Sequence, residues 1–358
     1  MSPEQIRHDY EAARARGLRA RDAAAAIGQS EGAALAAYIG ADNDALVRAT
    51  PLKREWLALL KSLEPCGPLL ALTRNEHVVH EKTGVYRQLS GEGPIGLALG
   101  EDIDLRLFFH QWHAGLVITE RAQNASAEAL PSLQFFDKHG TAVHKIFVRE
   151  ATDRAAWAQV LRDWSDERVT VAFEPAAPAA IKAPVSVDAA AFGDAWSAMT
   201  DTHQFFPLLR QFGVERRQSF RLVEGRYTRR VDRTALRETL MEAAFDGTPI
   251  MVFVGSPGCI QIHTGAVKRV EPMEVQGKTW LNVLDPGFNL HLREDRVDEV
   301  WVVEKPTSDG VVTSLEAFDE QGELMAMFFG ARKPGQPELV AWRDILAHLP
   351  TVDAGATA

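Results

Sequence analysis

The sequence repeats part of itself at about half its length. The segment S-L-Q-F-F-D-K-H-G around Leu133 returns as S-L-E-A-F-D-E-Q-G around Leu315, 182 positions later. H-E-K-T-G, from His80, matches Q-I-H-T-G, from Gln261, at 181 positions, and L-R-L-F matches L-H-L-R at 185. Matched segments in the same order at a nearly constant offset indicate a duplicated unit. Two copies are too few for a solenoid, so the sequence predicts two similar domains with a ligand cleft between them.

The composition limits the classes of partner. The 358 residues are 46% hydrophobic and 25% charged, and the formal net charge is -10. An acidic globular chain is a poor general partner for nucleic acid or for an anionic membrane surface. The sequence has no apolar run long enough to span a membrane and no signal-peptide pattern, and Cys66 and Cys259 form no C-x-x-C motif. These features predict a cytoplasmic protein with reduced thiols and no membrane insertion.

Proline and small residues mark the predicted domain boundaries. Residues 1–173 are predicted to form the N-terminal repeat and residues 187–350 the C-terminal repeat. Between them, residues 174–186 read E-P-A-A-P-A-A-I-K-A-P-V-S, and their prolines predict a semi-rigid linker. Residues 351–358 are predicted to be a disordered tail.

The first repeat is predicted to open with helices and to continue as a sheet. Ile6–Ala37 predicts a pair of short helices, and Thr50–Leu63 predicts another with Pro51 in its first turn. Short β-branched runs separated by turn residues fill positions 69–148, a spacing typical of antiparallel strands rather than of βαβ units. Arg154–Trp164 predicts a closing helix.

The second repeat is predicted to follow the same order. Helices are expected over Ala191–Ala244, strands over Pro249–Phe329, and a last helix over Glu338–Leu349. The predicted fold class is therefore α+β, a tandem structural repeat in which helices precede a large antiparallel sheet.

The two repeats differ most where the second one reads M-T-D-T-H-Q-F-F-P-L-L-R-Q-F-G and carries His203; the corresponding A-R-D-A-A-A-A-I-G has no histidine. Asp201 and Gln204 fit a capping box, which places His203 in the first turn of a helix. The electropositive end of a helix favours a neutral imidazole, the form that binds metal. Pro207 predicts that this helix starts late or bends. A surface histidine in a capping region is the alternative interpretation.

An excess of arginine follows this histidine. Between Glu215 and Arg233 there are seven arginines and three acidic residues. A solvated helix face is one explanation, and a site for an anionic ligand is the other, because arginine forms forked hydrogen bonds with carboxylates. Beside a neutral histidine and Phe205, Phe206 and Phe212, such a site suits a flat apolar ligand with a metal centre and acidic side chains. Haem meets that description.

Several strings in both halves of the chain are distinctive. In the second half they are D-T-H-Q-F-F-P-L-L, G-C-I-Q-I-H-T-G, W-L-N-V-L-D-P-G-F-N-L-H-L-R-E-D, E-V-W-V-V-E-K-P-T-S-D-G-V-V-T-S-L-E and F-F-G-A-R-K-P-G-Q-P-E. In the first half they are L-T-R-N-E-H-V-V-H-E-K-T-G-V-Y and D-I-D-L-R-L-F-F-H-Q-W. Together they resemble the HemS/HmuS/PhuS family of cytoplasmic haem-trafficking and haem-degrading proteins of bacterial haem uptake systems. The resemblance covers nearly the whole chain. It implies a tandem repeat of helices followed by a large antiparallel sheet, with haem as the ligand.

The resemblance also implies roles for single residues. His203 matches the axial ligand of the haem iron, and Arg216 matches a distal arginine on the opposite side. Lys305, in E-K-P-T, and Arg332, in G-A-R-K-P-G-Q, match basic residues that contact the propionates. Phe329 matches an aromatic residue that packs on the porphyrin.

Two residues of the first repeat, Arg106 and Phe108 in L-R-L-F, match further residues of the haem pocket. Met327 stands where some members of the family are expected to carry a polar residue. The resemblance implies a haem-binding protein that transfers haem or degrades it oxidatively in iron acquisition. In degradation, Arg216 would stabilise negative charge that develops on oxygen.

A carrier without catalysis remains the alternative function. In that case the protein would deliver haem to a separate haem oxygenase, and a haem ABC importer is a further expected partner. The oligomeric state stays open between monomer and homodimer, and so does a second haem in the first repeat. The other histidines of that repeat, His77, His80, His110 and His113, are interpreted as structural, since His77 and His80 would point to opposite faces of a strand.

Overall fold

The structure is a computed structural model that describes residues 1–42, 44–121, 130–176, 185–332 and 335–352. The chain divides into two compact units. Unit 1 comprises Met1–Asn75, His80–Pro178 and Gly255–Gln261, and unit 2 comprises Glu76–Val79, Ala179–Val254 and Ile262–Ala358. Residues 177–184 of the predicted linker and residues 353–358 of the predicted tail lie outside the described residues. No helix in the described part of the chain is long and apolar enough to cross a membrane.

The described residues of unit 1 form five α-helices. They are α1 (Pro3–Ala15), α2 (Ala20–Ala26), α3 (Glu31–Ala36), α4 (Trp56–Lys61) and α5 (Arg154–Trp164). The side chains of Ser2 and Ser30 cap the first and third by accepting backbone N–H hydrogen bonds. The predicted pair of short helices is therefore wrong in number, because Gly17 and Gly28, with φ of 85° and 69°, each end a helix.

The helix predicted over Thr50–Leu63 is shorter than expected. Its first two residues belong instead to strand β1 (Val47–Pro51), and α4 begins only at Trp56. Pro51 ends this strand opposite Leu116, a position where a residue without an N–H is tolerated. Five large apolar residues of this stretch are nevertheless buried, Leu52, Trp56, Leu59, Leu60 and Leu63. The helix predicted at Arg154–Trp164 is confirmed as α5.

Nine strands follow one another in the described residues of the first half. They are β1, β2 (Leu69–Arg74), β3 (Val78–Gly84), β4 (Leu89–Glu92), β5 (Ile95–Leu99), β6 (Asp104–Phe108), β7 (Ala114–Glu120), β8 (Ser132–Phe136) and β9 (Ala142–Val148). The neighbour order is β1-β7-β8-β9-β2-β3 for one run and β4-β5-β6 for the other. Six of these pairs are antiparallel, as the turn spacing predicted: β1–β7, β2–β9, β4–β5, β5–β6, β7–β8 and β8–β9.

The second half repeats this arrangement. Its helices are α6 (Ala189–Ser197), α7 (Phe205–Phe212), α8 (Arg216–Leu222), α9 (Ala235–Asp246) and α10 (Val340–Ala347). Its strands are β10 (Thr228–Val231), β11 (Ile250–Gly255), β12 (Cys259–Gly265), β13 (Val270–Val275), β14 (Lys278–Asp285), β15 (Phe288–Arg293), β16 (Glu299–Thr307), β17 (Gly310–Phe318) and β18 (Leu324–Gly330). The neighbour order is β10-β16-β17-β18-β11-β12 and β13-β14-β15, the order of the first half with each number raised by nine. The predicted α+β tandem repeat is confirmed.

One strand lies inside the stretch predicted to be helical, Ala191–Ala244. The segment T-R-R-V forms β10, which pairs antiparallel with Val300–Val303 of β16. Thr228 and Val231 are buried at its two ends. The local arginine content suggested a helix, but pairing with a buried strand determines the conformation of this segment.

An aromatic cluster holds α6, α7 and α8 against β16 and β17 in unit 2. Its largest members, all buried, are Phe192, Trp196, Phe205, Phe220, Trp301 and Phe318. Trp196 also donates its indole N–H to the carbonyl of Glu304 at 2.9 Å. Burying each of these rings stabilises the packing by about 1.5–3 kcal/mol. The cluster therefore gives the start of α7 and the start of α8 a rigid support.

Candidate functional site

His203 lies at the capped start of α7. Asp201 accepts a hydrogen bond from the backbone N–H of His203 at 2.7 Å, and the Gln204 side chain accepts one from the backbone N–H of Asp201 at 3.3 Å. The predicted capping box is confirmed. It closes a single 3₁₀ turn, and α7 starts after it at Phe205. Pro207 is thus the third residue of the helix, a position whose N–H would have no intrahelical acceptor, so proline is tolerated there. The predicted late start of the helix is confirmed.

The same carboxylate also holds the imidazole. Asp201 Oδ1 lies 2.6 Å from His203 Nδ1, and the His203 side chain is 94% exposed. A carboxylate acceptor keeps a proton on Nδ1, which leaves the lone pair of Nε2 in a neutral ring available to a metal. The hydrogen bonds from His203 lower the pKa of Asp201, and the positive charge of Arg332 lowers it further. The orientation of the ring therefore depends on Asp201, a contact that the prediction from the helix end did not include.

Arg216 is the first residue of α8 and forms a forked ion pair with a buried carboxylate. Its Nε donates to Glu316 Oε2 at 2.7 Å, and its Nη2 donates to Glu316 Oε1 at 2.9 Å. Nη2 also lies 3.0 Å from the sulfur of Met327. The guanidinium carbon is 5.1 Å from the ring centre of Phe205 and 5.5 Å from that of Phe206. Arg216 is therefore held by a charge, a sulfur and two aromatic faces.

Lys305 shares the same carboxylate. Its Nζ donates to Glu316 Oε1 at 2.9 Å and lies 4.7 Å from the ring centre of Phe205. Burial raises the pKa of Glu316, but the charges of Arg216 and Lys305 outweigh it and bring the pKa to about 2. Burial lowers the pKa of Lys305, and Glu316 opposes that change. Two cations thus surround one ionised carboxylate, and the Arg216–Glu316–Lys305 cluster has one positive charge in excess.

Phe329 lies on the same face of the sheet as this cluster. Ser314 is opposite Phe329 in the register of β17 and β18, and Glu316 is opposite Met327. Residues two apart on a strand share a face, so these four side chains are neighbours. The Phe329 ring packs edge-on against Phe253 with 5.0 Å between centres. Met327, where a polar residue was expected, contributes its sulfur to Arg216.

The other predicted pocket residues have simpler surroundings. Arg332 is partly buried, and its charge acts on Asp201. In unit 1, Arg106 forms an ion pair with Asp104 and is 35% exposed, and Phe108 is partly buried. The roles in haem contact that the resemblance implies for these residues stay predictions.

The arginine-rich segment does not form one continuous cationic surface. Of its seven arginines, Arg216 alone is bound to Glu316 in the described residues. Four of the others have different partners: Arg217 and Arg221 pair with Glu299, Arg226 pairs with Asp194, and Arg229 donates to the carbonyl of Leu346. Four of the seven arginines are therefore engaged with partners outside the Arg216–Glu316–Lys305 cluster.

A buried polar network occupies unit 1. Thr73 Oγ1 lies 2.9 Å from both His144 Nδ1 and Gln261 Oε1, and the Tyr86 hydroxyl lies 2.7 Å from His144 Nε2. Gln261 Nε2 lies 2.9 Å from the Nδ1 of His80, which is fully buried. The interpretation of His80 as structural agrees with this burial.

Two residues of the candidate site escaped the sequence reasoning. Glu316 interrupts the apolar strand S-L-E-A-F, and a buried carboxylate in a strand requires cationic partners, which is the signal that could have indicated it. Asp201 was recognised as a cap but not as the partner of the His203 ring. The distance between ring and carboxylate follows from the 3₁₀ turn, which the capping pattern did not distinguish from an α-helical one.

The fold and the site together define a class: a duplicated α+β protein with an exposed, carboxylate-bound histidine beside a buried cationic cluster. The family model described as the haemin-degrading HemS.ChuX domain matches residues 28–164 and 213–349. The chain therefore belongs to this family, and each half carries one copy of the domain.

Known proteins are similar over almost the entire chain. The hemin transport protein HemS of Yersinia enterocolitica is 39% identical over 342 residues, 95% of each chain. The crystal structure of holo-PhuS, a heme-binding protein from Pseudomonas aeruginosa, matches with a TM-score of 0.90 and 43% identity, and covers 98% of this chain and 100% of that one. The heme degrading enzyme ChuS of Escherichia coli O157:H7 matches with a TM-score of 0.87 and 35% identity, over 97% and 99% of the two chains.

The two domain copies carry opposite charges at one equivalent helix position, the first residue of α3 and of α8. The matched ranges differ by 185 positions, which aligns Glu31, the first residue of α3, with Arg216, the first residue of α8. The bounds of β9 and β18 differ by 182 positions, which aligns Lys145 with Met327. In unit 1 Lys145 donates to Glu31 at 2.6 Å. The helix of unit 1 thus presents an acid to a cationic strand, whereas the helix of unit 2 presents a cation to Glu316.

Proposed function

We propose that this protein binds haem through Nε2 of His203, and that it transfers the haem or degrades it oxidatively as part of bacterial haem uptake and iron acquisition. The observation that carries the proposal is the 94% exposed His203 ring, which Asp201 holds by Nδ1. This arrangement leaves the metal-binding nitrogen directed away from its protein partner. Kinship with a heme-binding protein and a hemin transport protein supports the same ligand.

The residues around His203 suit the rest of a haem molecule. Phe206, three residues along the chain, is 57% exposed and offers an aromatic face to an apolar ring. Arg332 and Lys305 supply positive charge for the two propionates, and Phe329 supplies a further aromatic surface. The alignment that pairs Glu31 with Arg216 places Leu18 at the position of His203, so the first domain copy lacks this ligand.

Arg216 is the residue proposed to act in degradation. Glu316 occupies its Nε–H and one Nη2–H, which leaves the two N–H groups of Nη1 as donors. A fixed guanidinium donor stabilises negative charge that develops on oxygen during ring oxidation. Haem itself, as the substrate, supplies the iron and the oxygen chemistry.

The proposed setting is the cytoplasm, where a haem ABC importer would supply the haem. In the alternative function, the protein is a carrier that hands haem to a separate haem oxygenase. The relatives include both kinds, since one is named a hemin transport protein and another a heme degrading enzyme. Monomer and homodimer both remain compatible with the proposal.

Haem titration of the purified protein tests the ligand. The wild type is expected to bind ferric haem about one to one, and His203→Ala to weaken the complex or to shift its Soret band. His110→Ala, which removes an exposed histidine of unit 1, is the matched control and is expected to behave as wild type. If His203→Ala keeps the affinity and the Soret position, the assignment is wrong. If only His110→Ala loses them, the principal ligand lies in unit 1.

A second experiment separates carriage from catalysis. The haem complex is treated with a reductant in the presence of catalase, which removes stray peroxide. If the protein degrades haem, the wild-type complex is expected to lose its Soret band and release iron. The Arg216→Ala complex is then expected to keep its Soret band. A stable spectrum in the wild type would instead assign the protein as a carrier.

A further inference from the structure

Glu316 binds both Arg216 and Lys305. It is fully buried in β17 and accepts hydrogen bonds from Arg216, Lys305 and the hydroxyl of Ser314, the last at 2.8 Å. The Nε–H of Arg216 and one N–H of Nη2 are both committed to this carboxylate. Within the described part of the chain, no acceptor contacts Nη1 of Arg216. The two hydrogen bonds to Glu316 thus leave the Nη1 edge of the guanidinium available to donate to a ligand.

Lys305 contributes its positive charge from a buried position beside Glu316. Its side chain is 4% exposed, and its ammonium is enclosed by Glu316, Ser314 and the ring of Phe205. An Arg216–Glu316 pair alone would be neutral, because the two charges cancel. The buried ammonium restores one positive charge to the group, so that Arg216 still attracts negative charge while it is held by an acid.

The first domain copy lacks the pairing of a strand carboxylate with a helix arginine at the equivalent place. The alignment of β8 and β9 with β17 and β18 places Gln134 at the position of Glu316. There the helix carries Glu31, which pairs with Lys145, and the pair is neutral. Only the second copy combines a strand carboxylate with a helix guanidinium that keeps free N–H groups and a net positive charge.

We propose that Glu316 is a positioning residue, which fixes Arg216 so that Nη1 faces the bound ligand, and that Lys305 is the buried counter-cation that keeps the group positive. The proposal rests on the proposed function for the nature of the ligand. The orientation of Arg216 is a property of the protein alone, so it can be tested with and without haem.

The protein-only test observes the Nε–H of Arg216. In ¹H–¹⁵N spectra this hydrogen-bonded, part-buried group is expected to give a resolved signal in the free protein, assigned by its loss in Arg216→Lys. The signal is expected to disappear in Glu316→Gln. Glu299→Gln is the matched control, because Glu299 is also a buried carboxylate bound by arginine, from Arg217 and Arg221, and this variant should keep the signal. Persistence of the signal in Glu316→Gln overturns the proposal.

The haem-bound test uses the acid–alkaline transition of the ferric haem spectrum. Arg216→Ala removes a cation and is expected to move the midpoint to higher pH. If Glu316 positions Arg216, Glu316→Gln also moves the midpoint upward, although it removes a negative charge. If Glu316 acts only through its charge, Glu316→Gln moves the midpoint downward, and the proposal is overturned. Lys305→Met, which leaves the fork intact, is expected to give a smaller upward shift than Arg216→Ala.

Failure of the proposed function is recognisable separately. A wild type that binds no haem refutes the function, whereas the Nε–H signal still decides whether Glu316 positions Arg216. Should Glu316→Gln not fold, because two cations are left without their carboxylate, Glu316→Asp replaces it. That variant keeps the charge but shortens the side chain, so it is expected to weaken the signal and to raise the midpoint by less than Arg216→Ala. An unchanged signal together with an unchanged midpoint in Glu316→Asp counts against the positioning role.

Discussion

Replacement of Asp201 separates its role in folding from its role in ligand binding. One oxygen of Asp201 accepts from the backbone N–H of His203 at 2.7 Å and lies 2.6 Å from the ring Nδ1. Asparagine is as good an N-cap as aspartate, and its side-chain oxygen still accepts both hydrogen bonds, so Asp201→Asn removes only the charge. Asp201→Ala removes the cap and the ring contact together.

The expected magnitudes follow from these contacts. Loss of the cap in Asp201→Ala should lower the free energy of unfolding by about 1 kcal/mol, whereas Asp201→Asn should leave it nearly unchanged. Loss of an outer partner of a metal-binding histidine costs roughly 10–100-fold in affinity, or about 1.4–2.8 kcal/mol. The Asp201 and His203 side chains are 58% and 94% exposed, so solvent weakens their interaction. We therefore expect the lower end, roughly tenfold in haem affinity, for Asp201→Ala, and a smaller loss for Asp201→Asn, which keeps the hydrogen bond to the ring but not the charge.

Denaturant unfolding and haem titration measure the two effects independently. Asp188→Ala is the matched control, because Asp188 caps α6 by accepting from Ala190 and Ala191 and contacts no histidine ring. It should lose as much stability as Asp201→Ala and keep wild-type haem affinity. The reasoning is refuted if Asp201→Asn and Asp201→Ala both bind haem with wild-type affinity and spectrum, since the carboxylate would then have no influence on the ring.

Three further predictions concern charge, pH and thiol reactivity. Neutralising Lys305 and Arg332 together should cost on the order of 1–3 kcal/mol of haem affinity. Haem dimethyl ester, which lacks the carboxylates, should bind the double variant and the wild type with the same affinity. If the double variant binds the ester as weakly as it binds haem, the substitutions have damaged the packing instead. Burial lowers the pKa of His144 from 6.5 to about 3, so the folded state binds fewer protons than the unfolded state, and the free energy of unfolding should fall by about 1.4 kcal/mol per pH unit as pH drops below 6.5 toward 3. His144→Gln should flatten this dependence in unfolding titrations, and an unchanged slope would assign it to other groups. Burial raises the pKa of Cys66 to about 11 and that of Cys259 to about 12, so a thiol reagent should modify neither in the native protein and both in denaturant; rapid native labelling would contradict their burial.

The duplication and the helix start at His203 were readable from the sequence because both are local patterns. Recurring strings at 181 to 185 positions predicted two copies, and the strand order confirms them. The capping box needs only Asp201 and Gln204, three positions apart, and it forms as expected. Turn residues likewise predicted antiparallel strands, since each hairpin is closed by its own short loop.

Local patterns predicted the wrong secondary structure where a segment pairs with a strand that is distant in the sequence. Thr50 and Pro51 were expected in a helix, but they pair with β7, more than sixty positions later in the chain. The T-R-R-V segment has no strong strand signal, yet β16 extends it. Propensity is a weak preference, and a ladder of backbone hydrogen bonds overrides it.

The chemistry of the site depends on contacts that no spacing in the sequence announces. His203 could be found as the histidine that one repeat has and the other lacks. The partner of Arg216 could not, because Glu316 lies 100 positions away and meets it only when α8 packs on β17. Residue types alone made Arg216 and Lys305 look like two separate cations for a ligand. Tertiary packing brings both onto one buried carboxylate, because an ionised acid in the core is stable only where opposite charges surround it.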